Sequence, residues 1–282
     1  MHKENEWMPE LPEVETIKTT LNRIVRDQTI KDIAVYWPNI IKRPDDVEEF
    51  KQKLIGQTIR KVDRIGKFLL FELDDYNLVS HLRMEGKYSV QSQDEPYKKH
   101  THIVFQFISG EDLRYNDVRK FGTMHVFKKG EERTQKPLNQ LGPDPFETRF
   151  TMDYFQEKLS KTGRTIKAAL LDQTIVAGLG NIYVDETLFK AGVHPLKRAN
   201  ELLETEIRDI KDEAIQTLAE AVKQGGTTIR SYTDSTGEMG MFQQELFVYG
   251  QENEACKNCG DIIVKMKVSG RGTHVCMTCQ QE

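Results

Sequence analysis

The chain has 282 residues, 38% of them hydrophobic, and a formal net charge of −4. That length buries one to three cores. No stretch approaches the roughly 20 uncharged apolar residues of a membrane span, and residues 1–7 carry Lys3, Glu4 and Glu6 where a secretory signal has an apolar core, so a cytoplasmic protein with no membrane contact is expected. The negative total does not favour phosphate binding, but charge acts locally: beyond Ala255, Lys257, Lys265, Lys267 and Arg271 are offset only by Asp261 and Glu282.

Taken in order, residues 12–25 read as a helix. Pro12 suits a first helical position, Glu13 and Glu15 lie at its positive end, and Val14, Ile17, Leu21 and Ile24 recur on one face. Pro9 and Glu10 therefore stand immediately before a helix start. From 29 to 127 the hydrophobic period falls to two. Residues 30–36, 58–64, 67–73, 78–82, 102–108, 113–116 and 123–127 read as strands, interrupted by a short helix over 45–54. Many short strands after one helix imply a two-sheet sandwich. Residues 138–148, with Gly142-Pro143-Asp144-Pro145, read as a linker. After it, 153–161, 165–172, 182–191 and 201–224 read as helices, and 233–241 as a polar, mobile stretch. The fold class is α+β.

The four cysteines carry the strongest local signal. Cys256 and Cys259, then Cys276 and Cys279, form two Cys-x-x-Cys pairs separated by sixteen residues. Two such knuckles with a hairpin over 262–275 between them fit a closed, structural four-thiolate zinc site. Arg271, flanked by Gly270 and Gly272 near the hairpin tip, is either a solvated arginine or a phosphate ligand. The loop Ala177-Gly178-Leu179-Gly180-Asn181 opens a helix, and its glycines let another backbone or an anion approach the helix amides, with Asn181 as cap or amide donor. Met84, Arg119 and Phe121 lie near turns, where they serve either as core or as a wedge between bases. Met8-Pro9-Glu10-Leu11-Pro12-Glu13 is either a plain helix start or, with Pro9 at a chain terminus, a secondary amine able to form an iminium with an aldehyde-like carbon, with Glu10 and Glu13 beside it to move protons.

Together these pieces resemble the bacterial formamidopyrimidine-DNA glycosylases. Pro9-Glu10-Leu11-Pro12-Glu13-Val14-Glu15-Thr16 is similar to the family's N-terminal signature, and Gly180-Asn181-Ile182-Tyr183, Gly225-Gly226-Thr227-Thr228, Glu245-Leu246-Phe247-Val248-Tyr249-Gly250 and the four-cysteine tail follow in the family's order. The resemblance implies an extension or leader over 1–7, an N-terminal helix and β-sandwich domain over 8–140, a helical helix-two-turn-helix domain over 141–245 and a zinc finger over 246–282 with one zinc ion. It implies a base-excision enzyme acting on duplex DNA that contains 8-oxoguanine or formamidopyrimidines, with flipping of the damaged nucleotide, Schiff-base chemistry at Pro9 and β,δ-elimination at the abasic site; a monomer is expected because nothing in the sequence reads as a coiled-coil or dimer seam.

The roles it implies are nucleophile for Pro9, proton donor for Glu10, a second acid for Glu13, and a phosphate contact assisting excision for Lys67. His81, Asn181, Tyr249 and Arg271 would grip phosphates, Met84, Arg119 and Phe121 would fill the vacated stack and meet the orphan base, and residues 227–241 would close over the flipped base. An internal Pro9 would be a tertiary amide without a nucleophilic lone pair, so residues 1–8 must be absent for this chemistry. Two rival readings are a relative that excises oxidised pyrimidines with the same proline, and a DNA-binding zinc protein without catalysis.

Overall fold

The computed structural model describes residues 8–227 and 245–281. The expected leader over 1–7, the polar stretch over 233–241 and all of the expected closing loop after Thr227 lie outside these residues. The chain divides into two compact units: the first holds residues 8–9 and Glu13–Asn139, the second holds Glu10–Pro12 and the described residues from Gln140 onward.

From Glu13 on, α1 (Leu11–Val25) belongs to the first unit and lays Val14, Ile17, Leu21 and Val25 into the core, while Ile24 packs at its margin. The expected sandwich is present. One sheet has the order β1-β7-β8-β6, from β1 (Ile30–Val35), β6 (Lys87–Ser92), β7 (Thr101–Phe107) and β8 (Glu111–Asn116). The other has the order β2-β9-β5-β4-β3, from β2 (Ile41–Arg43), β3 (Lys61–Ile65), β4 (Phe68–Glu72), β5 (Tyr76–His81) and β9 (Thr123–Lys128). Phe105, Phe107 and Leu113 from the first sheet meet Leu69, Phe71 and Leu78 from the second in one apolar cluster. Two edge strands were not anticipated. β2 is three residues long and pairs in parallel with β9, too short to show a period. In β6 only Tyr88 and Val90 are apolar, because one face of this edge strand is polar. Helix α2 (Val47–Leu54) starts later than expected because the Asp46 carboxylate caps it by accepting the Glu49 N–H at 2.7 Å.

The second unit is built on α3 (Met152–Ser160), α4 (Ile166–Leu170), α5 (Asn181–Lys190), α6 (Glu204–Lys223) and the hairpin of β10 (Val264–Val268) and β11 (Arg271–Val275). Thr151 and Thr165 cap α3 and α4 through their hydroxyls. Helix α5 is the centre: every residue from Ile182 to Phe189 is buried, including Asp185 and Glu186. Buried carboxylates need partners, and theirs fix the site. No helix among the described residues is long and apolar enough to cross a membrane.

Candidate functional site

In the second unit the unpaired amides at the start of α5 do bind an anion, and it belongs to the chain itself. Glu10 Oε1 accepts the Ile182 N–H at 3.0 Å and Oε2 the Tyr183 N–H at 3.4 Å. Two of the open donors of a helix N-terminus are thereby satisfied at its positive end. Gly180 makes the approach possible: a Cβ there would lie 2.3 Å from the Glu10 carboxyl carbon. Gly178, at φ +102°, accommodates Leu11 in the same way, and its carbonyl accepts the Leu11 N–H at 3.1 Å. Gln173 holds the loop, accepting from the Gly178 N–H at 2.9 Å and donating to the Leu179 carbonyl at 2.9 Å. Glu10, 4% exposed, is thus fixed, and Pro9 precedes it by one peptide bond.

The next turn of α5 anchors the metal hairpin. Asp185 accepts from Lys167 Nζ at 2.6 Å and from the His274 N–H at 2.9 Å, and His274 Nε2 lies 3.0 Å from Glu252. Burial pushes the Lys167 amine down, partly offset by Asp185. The Gly272 carbonyl, next to Arg271, receives both Lys167 Nζ at 3.1 Å and Asn181 Nδ2 at 2.9 Å. Asn181 does not cap its helix: Gly180 occupies the cap position, and the amide goes to the hairpin. Glu186 accepts three backbone N–H groups, from Phe247, Val248 and Tyr249, each at 2.9 Å. Burial pushes its carboxyl up despite them. This seats Tyr249 against His274, with ring centroids 4.9 Å apart, and beside Asn181. Arg271 itself is exposed. Asn181, Tyr249 and Arg271, distant in sequence, are therefore tied to one small region.

The Sγ atoms of Cys256, Cys259, Cys276 and Cys279 all lie within 4.8 Å of one another, with 3.8 Å between Cys256 and Cys279 and 3.5 Å between Cys259 and Cys276. A tetrahedral ion with Zn–S bonds of about 2.3 Å sets sulfurs about 3.8 Å apart, so the set fits one structural zinc. Burial pushes the Cys256 thiol up, but N–H donors from Cys259 and Asn258 outweigh it and bring it down to about 7, whereas burial and the neighbouring sulfurs push Cys276 and Cys279 up, so four thiolates form together only with the metal.

In the first unit Lys67 follows Gly66, at φ +55°, in the tight turn joining β3 to β4, and is 5% exposed. Arg64 ties this turn to α1, donating to the Gly66 carbonyl at 2.9 Å and to Glu15 at 2.8 Å. His81 ends β5, with its ring edge-on to Phe68 at 4.5 Å. Its Nδ1 accepts the Arg83 N–H at 2.9 Å, which leaves the proton on Nε2. Burial, then the charges of Arg83 and Lys67 and the neighbouring His125, push His81 down to about 3. At neutral pH it is an uncharged donor.

Met84 and the pair Arg119 and Phe121 sit on two turns that Tyr115 joins. A Cβ on Gly86 would meet the Tyr115 hydroxyl at 2.3 Å, and one on Gly122 would meet it at 1.7 Å. Asp117 shapes the second turn, accepting the Arg119 N–H at 3.0 Å and the Gly122 N–H at 2.8 Å. Both turns hold a non-glycine residue in the left-handed region, Arg83 at φ 53° and Lys120 at φ 58°, a strain that neighbouring structure must enforce. Phe121 is 52% exposed with the Arg119 guanidinium 5.0 Å over its ring, so it is not core, and Met84 is only half-buried. Glu13 is 5% exposed in the first turn of α1.

Three family models match in succession: the formamidopyrimidine-DNA glycosylase N-terminal domain over residues 8–124, the formamidopyrimidine-DNA glycosylase H2TH domain over 141–233, and a zinc finger found in FPG and IleRS over 253–281. The chain belongs to the formamidopyrimidine-DNA glycosylase family. It is 65% identical over 273 residues to the formamidopyrimidine-DNA glycosylase of Oceanobacillus iheyensis, covering 97% of this chain and 98% of that one. Against the Bacillus subtilis protein of the same name identity is 57%, covering 97% and 99%. A Lactococcus lactis FPG mutant in complex with Fapy-dG containing DNA superposes with a TM-score of 0.91 at 44% identity, covering 97% and 100%. The L. lactis protein in complex with abasic-site DNA gives 0.89 at 43%, with the same coverage. The helical part of the fold is therefore an H2TH domain, as the resemblance implied.

Positioning residues that sequence reasoning passed over are Glu15, Arg64, Tyr115, Asp117, Gln173, Lys167, Asp185, Glu186 and His274. Asp185 and Glu186 carried a signal, since they stand inside a helix flanked on both sides by apolar residues, Ile182-Tyr183-Val184 and Leu188-Phe189.

Proposed function

We propose that the chain is a bifunctional base-excision repair enzyme. It removes oxidised purines, 8-oxoguanine and formamidopyrimidines, from duplex DNA and then cuts the backbone at the abasic site. Family membership and the damaged DNA in the L. lactis complexes support the substrate class. The observation that carries the catalytic reading is Glu10, locked by the α5 amides through a glycine that leaves it room and covalently next to Pro9.

With residues 1–8 absent, the Pro9 nitrogen holds a lone pair. It attacks C1′ and the glycosidic bond breaks, while the proton that the attacking nitrogen sheds passes through the Glu10 carboxylate to the departing base or the sugar oxygen. The sugar ring opens to an iminium, in which the cationic nitrogen acts as an electron sink. Loss of a C2′ proton expels the 3′ phosphate, a second elimination expels the 5′ phosphate, and water releases Pro9. Glu13 is the second acid. Lys67, His81, Asn181, Tyr249 and Arg271 hold phosphates, while Met84, Arg119 and Phe121 fill the space of the displaced nucleotide. Cys256, Cys259, Cys276 and Cys279 would hold the zinc, which would order the Arg271 hairpin. The acting species is a monomer.

Borohydride trapping tests this. A chain beginning at Pro9 becomes covalently linked to 8-oxoguanine DNA, because the reduced iminium is a stable amine. The chain with residues 1–8 retained binds but does not link. Glu10→Gln loses base removal while still linking to DNA that is already abasic. Equal linking by both forms, with the extension shown intact by sequencing, would place the nucleophile elsewhere, Lys67 first, and sink the mechanism.

A further inference from the structure

A cavity of about 450 Å³ in the first unit has no part in the roles above. Its cations are Lys42 and Arg43 from β2, Lys53 from α2, and Lys136. Lys53 is paired with Glu49 at 2.5 Å. Lys42 and Lys136 have no ion pair among the described residues, and the Arg43 guanidinium lies 5.2 Å over the Phe127 ring with no carboxylate partner. Asp45 is the remaining acid of the wall, so the cavity carries net positive charge.

At its back, His125 stacks on the same Phe127 ring, with centroids 6.2 Å apart and planes 4° from parallel. Its Nδ1 is buried and has no hydrogen-bond partner among the described residues. Burial, then Lys42, Arg43 and Arg83, push this imidazole down to about 4. A buried polar atom without a partner calls for one, and the unpaired cations lining the same cavity favour an anion.

The register of the sheet says which anion. His81 pairs with Thr123, Val79 with His125, and Arg43 with His125. His81, His125 and Arg43 therefore share one sheet face. At about 3.3 Å per residue and about 4.8 Å between strands, His125 and Arg43 lie roughly 8 to 12 Å from His81. Phosphates of one duplex strand rise about 3.4 Å along the axis and, because they also wind around it, lie about 7 Å apart through space, so this span is one to two phosphates. Arg83 acts electrostatically on both histidines.

We propose that the cavity is an accessory phosphate site, which receives a backbone phosphate of the bound duplex one to two positions from the one His81 contacts. Lys42, Arg43 and Lys136 supply the charge, and His125 supplies a hydrogen bond. The proposal rests on the DNA-binding reading above, and extends the footprint beyond the residues that grip the lesion.

The test compares the wild-type chain with a Lys42→Gln/Lys136→Gln variant, whose altered side chains are exposed and leave the core intact. Affinity for a lesion duplex with long flanks is measured against salt. Removing the contact lowers the slope of log affinity against log salt by about one unit. The difference disappears on one of two duplexes cut back to a single nucleotide beyond the lesion on the 5′ or the 3′ side. In parallel, duplex binding raises the His125 pKa, followed by NMR, by about one unit or more as an anion arrives. An unchanged slope on the long duplex overturns the proposal. So does inorganic phosphate alone shifting the His125 signals as far as the duplex does with the slope unchanged, because the cavity then takes free phosphate. Failure of the wild-type chain to bind any duplex sinks the DNA-binding reading itself, a separate result.

Discussion

His81 makes the folded protein acid-sensitive through one side chain. In the folded chain burial and the nearby Arg83 and Lys67 hold its pKa at about 3, whereas in the unfolded chain it returns to about 6.5. Between these values the unfolded chain binds the extra proton, so the stability that neutral His81 contributes is present at pH 7 and is lost as pH falls from 6.5 towards 3. Two ionisation curves with those midpoints differ by about 2.5 kcal/mol between pH 7 and pH 4.5. His81→Asn removes this, because the amide oxygen can still accept the Arg83 N–H yet does not titrate. The assay is urea unfolding of the chain beginning at Pro9, in which Trp37 of the first unit is the single tryptophan. With a urea slope of about 2 kcal/mol/M, the wild-type midpoint should fall between pH 7 and 4.5 by roughly 1 M more than that of His81→Asn. Equal losses in the two proteins would mean that His81 protonates freely in the folded state, and would refute the neutral-donor role argued for it.

Two further outcomes concern the second unit. Asp185→Ala leaves the Lys167 ammonium buried without its carboxylate and should cost about 3–5 kcal/mol, while Lys167→Met combined with Asp185→Leu should recover much of that. Urea unfolding followed by helical circular dichroism reads both, and a double variant no more stable than the single would sink the ion-pair argument. Gly180→Ala sets a methyl group 2.3 Å from the Glu10 carboxyl carbon, so Glu10 must leave the α5 amides. Excision of 8-oxoguanine should fall at least as far as it does with Glu10→Gln while linking to abasic DNA persists, and unchanged excision kinetics would show that this seat does not matter.

Legibility in the sequence followed the range of the interaction. The zinc ligands were plain, because each Cys-x-x-Cys pair is local and the metal demands that spacing. The helices and most strands were plain from periodicity. Strand β2 was invisible, since three residues have no period and its place is set by β9, some eighty residues later. Pro9 and Glu10 were legible only as a motif. Nothing local says that the Glu10 carboxylate will occupy the start of a helix 172 residues on, and the loop glycines were read as room for an outside anion. Phe121 stayed open between core and wedge until the resemblance was drawn, because an aromatic next to a strand is usually core. Its exposure follows from the Asp117 turn, a set of side-chain-to-backbone bonds that periodicity does not register.

The arrangement of the second unit follows from burying α5 on all sides. A helix with one wet face would leave Asp185 and Glu186 in solvent, where exposed charges contribute little. Buried, each must be satisfied, and each draws in a separate piece of chain: Asp185 the metal hairpin through His274, Glu186 the backbone of Phe247, Val248 and Tyr249. The helix start draws in a third piece through Glu10. Three segments far apart in sequence are thus placed by two turns of one helix, which gives the placement its rigidity. Asn181 and Lys167 then converge on the Gly272 carbonyl, so the backbone beside Arg271 is held by the same helix that holds Glu10. A zinc site at the far end of the chain therefore sets where Arg271 stands relative to Glu10 without touching either. Loosening the hairpin should displace Arg271 first, while Glu10, held by the α5 amides, keeps its place.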